Sequence, residues 1–349
     1  MERRITRQIN VGGVPIGGGA PVSVQSMCTT DTRDVESTVH QINALAAAGC
    51  DITRLAVLDM DAAKAIKQIK ERTNIPIVAD IHFDHRLALE CIKSGADKIR
   101  INPGNIGGKE NVRAVADAAG EKGVPIRIGV NGGSLEKELL EKYGHPTAEA
   151  LCESAMHHVS LLEDCGFYDI GISIKSSNVP LMVEAYRKIA ALTDYPLHLG
   201  VTEAGTEYTG IIKSSIGIGA LLLDGIGDTI RVSLTADPVK EVRAGIELLK
   251  ALDLRKGVRL TSCPTCGRCQ VKDMIEIANR VSARLEGIDK ALHVAVMGCV
   301  VNGPGEAREA DIGFACGKGS ALLFKKGEIL KKVPIETAED ELFAEIERM

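Results

Sequence analysis

Tryptophan is absent from this chain of 349 residues, and aromatic side chains make up only 3% of it. Stacking platforms for single-stranded nucleic acid and aromatic cages for quaternary ammonium groups both need several rings, so neither organises this protein. An excess of positive charge is missing too: 42 Lys and Arg stand against 47 Asp and Glu, for a net charge of −5. The composition therefore favours neither nucleic acid nor a membrane surface as a partner, and any anion site has to be local. No apolar run approaches the roughly 20 residues that span a bilayer, and the opening MERRITRQIN lacks the apolar core of a secretory signal. These absences point to a cytoplasmic protein.

The chain is nevertheless 45% hydrophobic, which excludes intrinsic disorder, and its length suits one large barrel or two domains. It holds ten cysteines. A disulfide scaffold belongs to short exported chains, so reduced thiols or metal thiolates are the better reading. Cys28, Cys50, Cys91, Cys152 and Cys165 are scattered, whereas Cys263, Cys266 and Cys269 are bunched, with Cys299 and Cys316 following.

From about residue 20 to 252 one unit recurs: a short β-branched run, a polar turn and an amphipathic stretch. The strand candidates are 21–27, 51–57, 75–82, 97–102, 125–131, 168–175, 196–201 and 228–234, with helical patterns such as 35–49, 61–73, 148–166 and 238–252 between them. Several of these stretches end in or near Gly49, Gly95, Gly123 or Gly166, as left-handed helix termination requires. Eight βα units predict an α/β fold, a (β/α)8 TIM barrel, with an open doubly wound sheet as the alternative because periodicity does not report closure. After Leu252 the pattern changes to the cysteine bunch, a helical stretch over 271–287, the apolar HVAVMGCVVNG and a Gly-rich, hairpin-like tail. The expected organisation is a barrel over 1–254 and a smaller α+β domain over 255–349.

Catalytic groups of such barrels come from the carboxyl ends of the strands. The candidate site residues within or just beyond these strands are Arg54, Asp80, His82, Arg100, Asn102, Arg127, Asn131, Lys175, His198, Glu203, Arg231 and Ser233. Five cations, Arg54, Arg100, Arg127, Lys175 and Arg231, converge on one mouth if the strands close. Buried cations need partners, and guanidinium forks match phosphate oxygens, so a ligand with more than one phosphate fits better than a monocarboxylate. The alternative is that each Arg pairs with a neighbouring carboxylate or lies at the opposite rim. NPGNIGG (102–108) and VNGG (130–133) follow strands and offer backbone amides to phosphate, although Gly after a strand is usually just a turn. GKGS (317–320) lacks the upstream Gly and following helix of a nucleotide loop. Asp80 and His82 are two apart on a strand and share a side, so they serve substrate hydrogen bonding or, with His85, a metal. His157 and His158 face apart on a helix, which predicts surface or interface positions.

Cys263-Pro-Thr-Cys266-Gly-Arg-Cys269 makes two successive C-x2-C steps, and Cys299 follows thirty residues later. That spacing wraps one metal centre and favours iron–sulfur over zinc, whose ribbons repeat the C-x2-C pair; a group of structural thiols is the remaining alternative. Cys263, Cys266, Cys269 and Cys299 together suffice for an all-thiolate site, whereas three thiolates leave one iron open, for which Glu306 is the candidate.

QSM (25–27), RINPGNIG (100–107), RIGVN (127–131), HLGVTEAG (198–205), IGDTIRVSL (226–234), SCPTCGR (262–268) and GCVVNGPGEA (298–307) together resemble the 4-hydroxy-3-methylbut-2-en-1-yl diphosphate synthase family of the non-mevalonate isoprenoid pathway. The resemblance runs over nearly the whole chain, in the compact bacterial form. It implies a barrel followed by a domain like that of sulfite reductase, a [4Fe–4S] cluster on Cys263, Cys266 and Cys299 with Glu306 as fourth ligand, and a homodimer in which one subunit's cluster domain caps its partner's barrel. Cys269 lies outside the family pattern, and Cys28 stands where Thr is usual. The implied reaction is the two-electron reductive ring opening and dehydroxylation of 2-C-methyl-D-erythritol 2,4-cyclodiphosphate to the allylic diphosphate, with a flavodoxin or ferredoxin donor and Glu306 as proton donor. The twelve barrel residues above are then the substrate site. A pterin-binding barrel is a competing reading that leaves the cysteines unexplained; a zinc-bearing scaffold is the non-enzymatic one.

Overall fold

The computed structural model describes residues 2–263, 265–269, 271–288, 290–299 and 308–349. The chain divides into two compact units, Met1–Leu254 and Arg255–Met349, whose hydrophobic cores have no member in common.

The first unit begins with a hairpin, β1 (Ile9–Val11) and β2 (Val14–Ile16), followed by β3 (Ser23–Met27), β4 (Ile52–Ala56), β5 (Ile77–Asp80), β6 (Lys98–Ile101), β7 (Ile126–Asn131), β8 (Ile170–Lys175), β9 (His198–Leu199) and β10 (Thr229–Ile230). The last eight form one parallel sheet in the order β8-β7-β6-β5-β4-β3-β10-β9. Parallel bridges Ile172 to Leu197 and Ser176 to Val201 join its two ends, so the sheet closes into a barrel and the open-sheet alternative is set aside. The hairpin was not visible in the βα periodicity, since its strands have three residues each. It packs Ile9, Val11 and Ile16 against Ile52 and Val78, near the amino-terminal starts of β4 and β5.

Helices α1 (Val35–Ala47), α2 (Met60–Lys70), α3 (His85–Lys93), α4 (Lys109–Lys122), α5 (Lys137–Tyr143), α6 (Ala148–Glu163), α7 (Val179–Leu192), α8 (Glu207–Leu223) and α9 (Pro238–Ala251) alternate with the strands. Asp34, Asp59, Asp84, Thr147, Asn178 and Asp237 cap six of them, each accepting from a backbone N–H of the first turn. Such caps are worth about 1 kcal/mol apiece, and each also fixes where a loop from the mouth enters its helix.

The second unit contains β11 (Arg259–Ser262), α10 (Met274–Leu285), β12 (His293–Met297), β13 (Ile312–Cys316), β14 (Ser320–Lys325), β15 (Glu328–Pro334) and α11 (Ala338–Glu347). Its sheet order follows the chain; β11, β12 and β13 pair in parallel, and β13, β14 and β15 antiparallel. The GKGS stretch is the β13–β14 turn, where Gly317 N–H donates to the Ser320 carbonyl at 2.7 Å. Among the described residues no helix is long and apolar enough to cross a membrane.

Candidate functional site

Alternation along the strands sends one residue in two into the barrel, and many of these are polar. Gln25 and Met27 come from β3, Arg54 from β4, Asp80 from β5, Lys98 and Arg100 from β6, Arg127 from β7, and Ser173 and Lys175 from β8. His198 belongs to β9, and Arg231 follows β10 directly. A pocket among them is lined by Arg54, Ser173, Lys175, His198, Thr202, Arg231 and Ser233 among others.

Four of the five anticipated cations, Arg54, Arg100, Arg127 and Lys175, share one carboxylate, that of Asp80. Arg100 donates to Asp80 at 3.2 Å, and Arg54 Nε lies 3.8 Å from it. Burial by itself would raise the Asp80 carboxyl, but Arg54, Arg100 and Lys175 outweigh it and hold the group at about 2. Arg231 has a second carboxylate near, Glu241 of α9, at 3.5 Å, and Glu241 is anchored by Ser26 at 3.0 Å and the Leu234 N–H at 2.9 Å. With Lys98, six cations thus stand against these two carboxylates. Burial, with the neighbouring Arg100 and Arg54, depresses the Lys175 ammonium to about 7 despite Asp80.

Several guanidinium donors are poorly matched within the protein. Arg54 directs Nε and Nη2 at the Met27 thioether, 3.1 and 2.9 Å away, and Arg231 shares that sulfur at 3.7 Å. Thioether sulfur is a weak acceptor. Arg127 crosses the barrel from β7 to Gln25 of β3 at 2.9 Å, yet its Nε and Nη2 have no protein hydrogen-bond partner, and neither has Arg100 Nε. Gly129 makes this arrangement possible, because a Cβ there would lie 2.2 Å from Arg100 Nε. Arg100 in return donates to the Gly129 carbonyl at 3.0 Å.

The remaining anticipated residues divide. His198 is buried; burial, then Arg127 and Lys98, pushes its pKa well down, and its Nδ1 is 3.4 Å from Thr229 Oγ1. Asn102 is buried beyond β6 with Oδ1 unpartnered by protein. Asn131 ends β7 and its side chain accepts from Gly133 N–H at 3.1 Å. Ser233 lines the pocket. His82 is not on a strand: β5 ends at Asp80, and His82 sits exposed in the following loop. Glu203 is an exposed turn residue with φ of 51°. His157 is exposed, as expected, whereas His158 corrects the sequence expectation, since it is 1% exposed and bonded to the barrel loops. Gln25, Met27, Lys98, Thr202 and Glu241 were passed over. Residues 25 and 27 carry the alternation signal of β3, whereas nothing in the local pattern of α9 separates Glu241 from its other acidic positions.

The second candidate site is the group of thiols in the second unit. Gly298 N–H donates to Cys263 Sγ at 3.0 Å, and a Cβ on Gly298 would meet Cys269 Sγ at 2.6 Å and Cys263 Sγ at 3.3 Å, so both sulfurs flank one stretch of backbone. Cys266 is exposed; the backbone and side-chain N–H groups of Arg268 lower its pKa, and Arg268 also feels Cys299. Cys316, on β13, is raised to about 12 by burial and by the nearby Cys269 and Cys263. Two cysteines of the bunch and Cys316 thus gather at the β12 end, with Cys266 and Cys299 linked through Arg268. Such a thiol set fits an iron–sulfur cluster, in which each protein ligand takes a separate iron. Among the described residues no three His, Cys, Asp or Glu converge closely enough for one metal ion, including around His82 and His85. Glu306 lies outside the described residues. The scattered thiols of the barrel are different: burial pushes Cys28 up to about 11 and Cys50 up to about 12, as for packing residues.

Fold and site together define a class: a two-unit α/β protein with a cation-rich barrel mouth and a separate thiol-bearing unit. The chain belongs to the GcpE family, for residues 6–246 match the GcpE TIM-barrel domain and residues 259–348 the GcpE protein C-terminal domain. A Geobacter sulfurreducens protein named 4-hydroxy-3-methylbut-2-en-1-yl diphosphate synthase (flavodoxin) is 63% identical over 345 residues, 99% of this chain and 98% of that one. A Clostridium perfringens protein of the same name is 62% identical, covering 99% of each chain. Among solved structures, dihydropteroate synthase from Stenotrophomonas maltophilia superposes with a TM-score of 0.53 at 15% identity, over 71% of this chain and 97% of that one. That likeness is one of fold alone.

Proposed function

We infer that this protein is an oxidoreductase of isoprenoid biosynthesis. It carries out the two-electron reductive ring opening and dehydroxylation of 2-C-methyl-D-erythritol 2,4-cyclodiphosphate to 4-hydroxy-3-methylbut-2-enyl diphosphate, with flavodoxin or ferredoxin as donor. The observation that carries this is the gathering of Arg54, Arg100, Arg127 and Lys175 around Asp80, with Arg231 beside Arg54, and with guanidinium N–H groups left to a weak acceptor or to none. A diphosphate supplies the acceptors those groups lack.

Two electrons and one proton enter, water leaves, and a phosphate oxygen freed from the ring takes up the new negative charge. That charge develops where the cations already stand, in a buried site of low dielectric, so they hold the product side more strongly than the cyclic substrate. Lys175, held near 7, takes up a proton as the anion arrives. Asp80 keeps Arg54 and Arg100 oriented rather than collapsed on one another. Asn102, Asn131, His82, His198, Glu203 and Ser233 complete the set of substrate contacts. Cys263, Cys266 and Cys299 are the residues that would hold a [4Fe–4S] cluster, with Glu306 the fourth ligand and proton donor to the departing hydroxyl. When bound, the cluster supplies the electrons singly.

On the family resemblance, we extend the reading to a homodimer in which one copy's second unit caps its partner's barrel. Anaerobic purification followed by iron and acid-labile sulfide analysis tests the cofactor, and turnover of the cyclodiphosphate with reduced flavodoxin tests the activity. About four irons and four sulfides, retained in Cys269→Ser, are expected. Zinc without sulfide would overturn the reading, and loss of the cluster in Cys269→Ser alone would make that residue a ligand in place of Glu306.

A further inference from the structure

His158 joins two loops that leave adjacent strands of the barrel. β6 runs into Asn102 and the tight turn Pro103–Asn105; β7 runs into Asn131, the turn Gly132–Ser134 and Glu136 at the start of α5. From α6, which packs on the first of these turns, the His158 side chain reaches both. Its Nδ1 accepts from the Gly104 N–H at 3.2 Å, and its Nε2 lies 2.9 Å from Glu136 Oε1, off the line of a regular hydrogen bond. Ser154, one helical turn earlier, donates to the same oxygen at 3.0 Å. Accepting at Nδ1 sets the tautomer, so the neutral ring carries its proton on Nε2, toward the carboxylate. The fit at Gly104 is close, since a Cβ there would lie 2.5 Å from the ring Cε1. Asn102, two residues before Gly104, is buried with its Oδ1 unpartnered by protein, so the path of the loop decides where that oxygen points.

We propose that His158 is a positioning residue for the substrate site: it sets the spacing of the loops that carry Asn102 and Asn131 without touching the substrate itself. This rests on the assignment of those two asparagines to the cyclodiphosphate. The test measures the Kd of iron-loaded protein for 2-C-methyl-D-erythritol 2,4-cyclodiphosphate by calorimetry, with kcat and KM alongside. His158→Ala is expected to weaken binding about tenfold while kcat stays within about twofold. His158→Asn, whose amide oxygen falls near the Nδ1 position and still accepts from Gly104, recovers most of the affinity, and His158→Gln recovers less. Asn102→Ala weakens binding similarly, and the double variant with His158→Ala is little worse than the weaker single, because both act through one contact. Additive losses, or unchanged affinity in His158→Ala, overturn the proposal. If His158→Ala does not fold, equal affinities of the Asn and Gln variants overturn it instead. A wild-type protein that does not bind the cyclodiphosphate overturns the functional assignment, a failure distinct from normal binding that is indifferent to His158.

Discussion

The barrel mouth and the thiol group are built in opposite ways. At the mouth, Arg54, Arg100, Arg127, Lys175 and Arg231 come from five strand segments spread over most of the first unit, and only closure of the sheet brings them together, four around Asp80 and Arg231 beside Glu241. In the second unit Cys263, Cys266 and Cys269 lie within seven consecutive residues, and Gly298, just after the next strand, bonds the Cys263 sulfur through its amide and lies against that of Cys269. A site made by short-range spacing depends on the local chain; a site made by long-range closure depends on the whole barrel. The two should therefore fail separately, as their unshared cores also suggest.

The largest effect is expected from Cys263→Ser, which should abolish iron binding and turnover while the far-ultraviolet spectrum and affinity for the cyclodiphosphate persist; collapse of the barrel as well would break the separation. Mixed in equal amounts with Arg54→Met, it should regain about a quarter of wild-type activity if each centre draws its two parts from different subunits. No recovery would place both parts in one chain. Arg54→Met itself should lower kcat/KM by about 100-fold or more with iron content unchanged, since it removes a buried cation facing the developing charge. Loss of iron in that variant would show the two sites to be coupled.

Gly129→Ala should come next. The added methyl collides with the Arg100 guanidinium, and displacing it costs about 1–3 kcal/mol in stability or in binding. An alanine variant with normal KM would mean that Arg100 does not need its present course. The smallest effect is on pH dependence. Lys175 has an ordinary value of 10.5 and is lowered to about 7 in the ligand-free fold. The unfolded chain therefore holds this proton longer, and ligand-free stability should rise with pH between about 7 and 10.5. Substrate affinity should run the other way, weakening above about pH 7 as the neutral amine has to recover its proton. Titration calorimetry in buffers of different ionisation enthalpy would detect that proton uptake, and Lys175→Gln should remove it.

Much of the fold was legible because the βα units carry their own signals: a β-branched run, a terminating glycine such as Gly49 or Gly123, and a helical period. Hairpin β1–β2 was not, because three-residue strands are too short to establish a period. At the site, Arg54 and Arg231 were legible as charges at strand positions where charge is costly. Glu241 was not, since an acidic residue on a helix is ordinary until the helix is packed on the barrel. His158 misled for the same reason: beside His157 it has the pattern of a surface pair, and only the docking of α6 on the 103–105 turn buries it.

By itself the sequence determined the repeating units, the cysteine spacing and the polar residues that strand alternation turns inward, because these depend on neighbours a few positions apart. Tertiary structure alone decided that the sheet closes, that Asp80 is the shared counter-charge, that Gly129 gives way to Arg100 and that His158 ties two loops together. Each of these relates residues far apart in the chain, and their distances exist only once the barrel has closed.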